Sequence, residues 1–212
     1  MNDTVPEISH ELTIYSGGDD SKLLSTTCPY NGDKGGSSDD VDDASAVLYP
    51  TITCKGHTAG VTAILPLPLV LSNGSRIVVT GSYDDRLRIY SIHPQVSGAM
   101  LRPPKLSAEK NLGGGVWRLK LVKLTKPDKE STASPTNWSA LMLASCMHAG
   151  SRVVEINGDD SDLCRINIVG RFEEHQSMNY GSDFQPGTEL DGQLLRCVST
   201  SFYDQLLCLW EV

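Results

Sequence analysis

Four short stretches of this chain fall into register on a single turn position, and this repetition constrains the fold more than any other feature. Aligned, "SGGDDSKLLST", "TGSYDDRLRIY", "ASCMHAGSRVV" and "TSFYDQLLCLW" place Asp20, Asp84, His148 and Asp204 at one position, at intervals of 64, 64 and 56 residues. Each turn joins two runs of β-branched and aliphatic residues, and no run sustains a helical period. Asn73-Gly74 and Asn157-Gly158 supply further hairpin signals, because those pairs tolerate the positive φ angles that two-residue turns need. The expected class is all-β, built from repeated antiparallel units. The intervals exceed the ~40 to 45 residues of a simple propeller repeat. Polar insertions at about 28–46, 93–110, 125–137 and 185–193 account for the excess. Their Gly, Ser, Pro and acidic content predicts mobile loops on the rim of one continuous repeat region spanning residues 1–212.

"CKGHTAGVTAIL" followed by "RIVVTGSYDDRLRIY" has the layout of a WD repeat: Gly56-His57, a strand, Ser82-x-Asp84, and the aromatic Tyr90 six residues after the aspartate. The last unit repeats it with His175, Asp204 and Trp210. In such a blade the histidine, the turn aspartate, a strand hydroxyl and the aromatic form a buried hydrogen-bond network. This assigns His57, Asp84, His175, Asp204 and Trp210 to holding blades together. The expected fold is a WD-repeat β-propeller with about four blade-like units.

Charge and cysteine usage narrow the functions. A net charge of -8 removes the basic surface that nucleic acid requires, so no nucleic-acid partner is expected. The apolar run Ile64 to Leu71 is broken by two prolines and is too short to span a bilayer, and Met1 is followed by no apolar signal segment, so neither a membrane partner nor secretion is expected. Six cysteines without a Cys-x-x-Cys pair or a cysteine-histidine grouping predict no metal site, no cofactor, and reduced thiols in the cytoplasm.

Five segments in order, "IYSGGDDSKL" (Ile14 to Leu23), "NLGGGVWRLKL" (Asn111 to Leu121), "LASCMHAGSRV" (Leu143 to Val153), "EEHQSMNYGSDF" (Glu173 to Phe184) and "STSFYDQLLCLW" (Ser199 to Trp210), resemble the diphthine methyl ester hydrolase family, long called diphthine methyltransferase. Members tend to carry tryptophan where this chain has Phe184 and Thr26, and a small apolar residue near Ser182. They are longer and are taken to have seven blades, so the resemblance implies a C-terminal portion or a shortened form. It also implies an activity: hydrolysis of the methyl ester of methylated diphthine on elongation factor 2, giving diphthine and methanol during diphthamide biosynthesis. The partner implied is elongation factor 2 bearing the modified histidine. A noncatalytic WD-repeat interaction scaffold, or an inactive fragment of the enzyme, is the alternative.

Ester hydrolysis requires an activated water or nucleophile, a base and oxyanion donors. The chain has no Gly-x-Ser-x-Gly elbow. Ser107 to Lys110 matches Ser-x-x-Lys inside an insertion and is read as coincidence. His148 stands where other units have a carboxylate, which leaves two readings open: a proton acceptor, or a substitute in the local hydrogen-bond network. Cys146 shares its strand face and is either a nucleophile or a packed apolar thiol. Asp183 is the second candidate catalytic residue, as an orienter of the base; the alternatives are that it attracts the trimethylammonium group or, with Tyr180, closes the inner strand's polar contacts. Trp117 and Tyr180 are candidates for binding the trimethylammonium group through their ring faces. Gly114 and Gly115 are candidates for close backbone approach to substrate, or form only a tight turn before the inner strand.

Overall fold

A computed structural model describes residues 10–30, 50–95, 100–126, 137–160, 162–187 and 194–212. Fourteen strands and no helix are found among these residues, in four antiparallel sheets. The first contains β1 (His10–Gly17), β2 (Leu23–Tyr30) and β3 (Ile52–Cys54). The second contains β4 (Val61–Val70), β5 (Arg76–Ser82), β6 (Arg86–Ile92) and β7 (Lys105–Asn111). The third contains β8 (Arg118–Thr125), β9 (Trp138–Ser145), β10 (Ser151–Gly158) and β11 (Cys164–Phe172). The fourth contains β12 (Asn179–Phe184), β13 (Arg196–Ser201) and β14 (Leu207–Glu211). These are four propeller blades in chain order, part of a WD-type ring.

The aligned turn lies between the second and third strands of the two four-stranded blades, at β5–β6 and β9–β10. By that register β1 is a second strand and β14 a third strand. Among the described residues, the first blade therefore lacks an inner strand and the last an outer one.

Apolar packing lies between blades rather than beneath a sheet. Leu23, Cys54, Val61, Val78, Tyr90 and Ile92 fill the first interface. Ile77, Val79, Ile89, Met142, Ala144, Val154 and Ile156 belong to the second. Leu143, Val153, Phe172, Cys197 and Trp210 belong to the third. Alternation along β5 sends Val78 toward the first blade and Ile77 and Val79 toward the third. A strand buried on both faces must be apolar at successive positions, as "IVV" is here. The two prolines in β4 sit where its pairing with β5 shifts register between Pro66 and Val70, which accommodates the missing amide donors.

The insertion expected at 93–110 is corrected in part. Lys105–Asn111 forms β7, paired with β6 from Arg86↔Asn111 to Ser91↔Lys105. Its charged composition suits an outer strand with little burial, and the pairing surface offered by β6 outweighs its weak strand propensity. The end of β2 likewise occupies Cys28 to Tyr30. Residues 31–46, 96–99, 127–136 and 188–193 of the insertions, including Asp33 and its acidic neighbours, lie outside the described residues.

Candidate functional site

Antiparallel alternation brings two kinds of segment to one end of the molecule: the loops entering β4, β8 and β12, and the turns β5–β6, β9–β10 and β13–β14. Every candidate residue except Asp183 and Trp210 lies at this end.

In the second blade the expected network forms, through a residue the sequence reading missed. His57 Nε2 lies 3.1 Å from Thr80 Oγ1, and the Arg88 guanidinium donates to His57 Nδ1 at 2.9 Å and to Asp84 at 2.9 Å. Arginine has no acceptor, so Nδ1 is bare and Nε2–H donates to Thr80. Asp84 also accepts from the Thr58 and Arg86 amides. Tyr90 donates instead to the Lys55 carbonyl, 2.9 Å away. Burial, then the nearby Arg88 charge, push His57 down to about 4. Burial opposes ionisation of Asp84, yet the bonds from Arg88, Thr58 and Arg86 outweigh it and hold the carboxyl at about 2.

The sign of the resulting pH dependence follows. An unfolded histidine near 6.5 binds a proton before the folded His57 does, so stability is complete above that pH and falls as the pH drops toward about 4. The Asp84 contribution is present above about 3.8 and is lost as pH falls through about 2. Denaturant titrations between pH 7.5 and 4 are expected to show the first loss, on the order of 2 kcal/mol. His57→Asn should flatten it, and an unchanged slope in that variant would refute the assignment.

The last blade builds the same network with one part changed. Ser199 Oγ lies 2.8 Å from His175 Nε2 and accepts from Trp210 Nε1 at 3.1 Å, while Phe172 stacks on Trp210 with centroids 5.2 Å apart. Asp204 accepts from the Gln176 amide and the Ser177 hydroxyl. Ser199 pairs with Cys208 as Thr80 pairs with Arg88, so a thiol stands where the second blade has its guanidinium. His175 Nδ1 is consequently buried without a partner. Cys208→Arg should supply one and raise stability by about 1 kcal/mol, read as a higher Tm; a lower Tm would show that the two blades are not equivalent.

The third blade departs most. The residue after the turn aspartate has positive φ in the other three blades: Ser21 at 62°, Asp85 at 63° and Gln205 at 54°. Here positive φ falls on Met147 at 43°, before His148, and on Gly150 at 76°. His148 shares the sequence register but not the turn geometry. It is exposed, and its imidazole makes no hydrogen bond among the described residues, so it does not substitute for aspartate. Arg152 secures this blade by donating to the carbonyls of Leu112 and Ala149.

Met147 bridges Asn179 at the head of β12, and His148 opens onto a pocket of about 360 Å³ with His175, Gln176, Ser177, Met178 and Tyr203. Cys146 is fully buried, and burial pushes its thiol up to about 12, which removes it as a nucleophile. Gly114 and Gly115 are buried too: a Cβ on Gly114 would lie 2.3 Å from the Cys146 carbonyl oxygen, and one on Gly115 2.7 Å from Met147 Sδ. Both glycines pack closely against the β9–β10 turn, where a side chain would not fit.

Trp117 and Tyr180 come together. Their ring centroids are 5.4 Å apart at 72°, and the Tyr83 centroid lies 5.8 Å from that of Trp117. The row continues from Tyr180 to Phe202 at 6.2 Å and from Phe202 to Tyr203 at 5.1 Å. Tyr83, Phe202 and Tyr203 were not singled out from sequence; the shared place of Tyr83 and Tyr203 immediately before the turn aspartate was the available signal. Asp183 is not brought to His148. It lies four residues along β12 from Asn179, roughly 13 Å at strand rise, and is ion-paired with Lys120. The Lys120 hydrogen bond holds its carboxyl below the usual range.

Two departures from the family pattern have structural counterparts. Ser182 is bonded to Ser145 and Ser151, each at 2.9 Å, and to Asn179, a polar knot between the third and fourth blades. Thr26 bonds Thr51 on the first blade at 2.8 Å.

No protein-family model matches the chain. Over 198 residues it is 30% identical to a diphthine methyltransferase of Schizosaccharomyces pombe, covering 93% of this chain and 47% of the relative. It is 28% identical over 207 residues to a diphthine methyltransferase of Saccharomyces cerevisiae, covering 94% and 45%, and 27% identical over 207 residues to a diphthine methyltransferase homolog of Dictyostelium discoideum, covering 94% and 47%. The chain spans about half the length of the curated relatives it matches.

Proposed function

The chain belongs to the diphthine methyltransferase family, and from that premise we propose that it acts in diphthamide biosynthesis as a carboxylic ester hydrolase. The substrate proposed is the methyl ester of methylated diphthine on elongation factor 2, in the cytoplasm. What supports this reading is the juxtaposition at one end of the blades of an aromatic row and a solvent-facing imidazole with no bond to give up. The ring faces of Trp117 and Tyr180 attract the trimethylammonium group by cation–π interaction. Water attacks the ester carbonyl carbon while His148 takes its proton. The carbon–methoxide bond then breaks, and the protonated imidazole returns the proton to methoxide, releasing methanol and leaving the carboxylic acid of diphthine, which ionises to the carboxylate by losing its proton to solvent. Asp183 takes no part in the proton transfer, because it is ionised and committed to Lys120.

Incubation with methylated elongation factor 2 should release methanol. His148→Ala should lower kcat by about 10²-fold or more, the range for a general base, and Trp117→Ala should mainly raise KM. Absence of methanol from the unmodified protein ends the reading. A noncatalytic scaffold is the second reading, favoured by one observation: no carboxylate among the described residues orients His148. Stable capture of elongation factor 2 that is indifferent to His148→Ala, with no turnover, would select it.

A further inference from the structure

The geometry points to a second role for the same end of the molecule: we propose that the row from Tyr83 to Tyr203 is a docking surface for an extended peptide segment carrying basic residues near both of its ends. The row crosses three blades and is continuous, each ring touching the next. Its outer members are open to solvent: Tyr83 is 41%, Phe202 66% and Tyr203 72% exposed. Laid in line, the four centroid steps reach at most roughly 22 Å, the length of about six or seven extended residues. Contiguous exposed aromatics of this kind mark interaction sites more often than scattered surface hydrophobics do.

Charge decides the occupant. A Cβ placed on Gly60 would lie 3.0 Å from Asp19 Oδ1 and 3.2 Å from Tyr83 Cδ2, so a carboxylate and the first ring flank the same glycine. At the other end Asp204 follows Tyr203 directly. Its partners are the Ser177 hydroxyl and the Gln176 amide, both neutral, and the Ser177 hydrogen bond leads in holding the carboxyl at about 2. Asp84, by contrast, is neutralised by Arg88. The row therefore ends in negative charge on both sides, while Arg118 follows Trp117 near its middle. A peptide with cations toward its ends and small neutral residues between them meets ring faces and carboxylates together. A helix with an apolar face would meet a carboxylate at each end of the row and bring no cations to match them.

The proposal rests on the hydrolase reading for nothing but the shared location. The probe is an acetylated, amidated heptapeptide with arginine at both ends and alternating serine and glycine between, titrated against the intact chain while tryptophan emission is followed. Trp138 and Trp210 are buried, so the signal reports Trp117. Saturable binding is expected, weakening at least fivefold between 50 and 300 mM salt, and at least fivefold again in Tyr203→Ser or in Asp19→Asn, with unchanged Tm in both variants. Equal binding of the peptide with glutamine in place of arginine overturns the proposal, as does binding indifferent to both variants. A chain that binds the arginine peptide yet releases no methanol keeps this surface and loses the hydrolase.

Discussion

Arg88→Met is expected to destabilise the protein by about 3 to 5 kcal/mol, the cost of leaving buried charge and hydrogen-bonding groups without their partner. The Arg88 and Asp84 side chains are 2% and 6% exposed, and one guanidinium joins the β5–β6 turn to the loop carrying His57. Glu109 on β7 lies 3.2 Å from the same group. Methionine fills the volume but supplies no donor, so Asp84 keeps only its amide and hydroxyl contacts and His57 Nδ1 keeps none. At ~2 to 4 °C per kcal/mol for a chain of this size, Tm should fall by about 10 °C. Pairing the change with Asp84→Asn should cost less than the sum of the two alone, because the second removes the charge that the first leaves exposed to a low dielectric. A loss below 1 kcal/mol would mean that solvent reaches this network freely.

The second large effect is expected from one added methyl group. Gly114→Ala should cost about 3 kcal/mol, at the upper end for overpacking, since the new Cβ meets a backbone carbonyl at 2.3 Å and Ala149 Cβ at 2.9 Å. A flexible side chain could swing away, but the Cys146 carbonyl is fixed by the Ala149 amide that donates to it. The loop entering β8 and the β9–β10 turn must then separate, displacing His148 and Trp117 together. Activity and stability should therefore fall in step. A variant of normal Tm that lost only substrate affinity would restore Gly114 to the binding surface.

Some of this architecture was legible before any coordinates. Short runs of β-branched and aliphatic residues and the repeated turn identified the blades, because a strand packed between two sheets must be apolar on both faces and a tight turn restricts its residues. The roles of His57, His175 and Trp210 followed for the same reason: a buried polar group demands a partner, and the spacing supplied it. Arg88 and Arg152 were missed although both stand four residues after the turn position, since a charged residue in a strand reads as exposed until its partners are known. Lys105 to Lys110 was assigned to a loop because its composition carries little strand preference; pairing with β6 makes it most of strand β7.

Sequence by itself determined the all-β repeat, the register of the turns and the family to which the chain belongs, since these depend on local spacing and on similarity along the chain. The tertiary structure alone decided that His148 leaves the blade network, that Asp183 stands apart from it beside Lys120, and that five rings from three blades meet. Those outcomes depend on where φ turns positive in a single loop and on how neighbouring blades face each other, and contacts between residues distant in sequence leave no periodic trace in it.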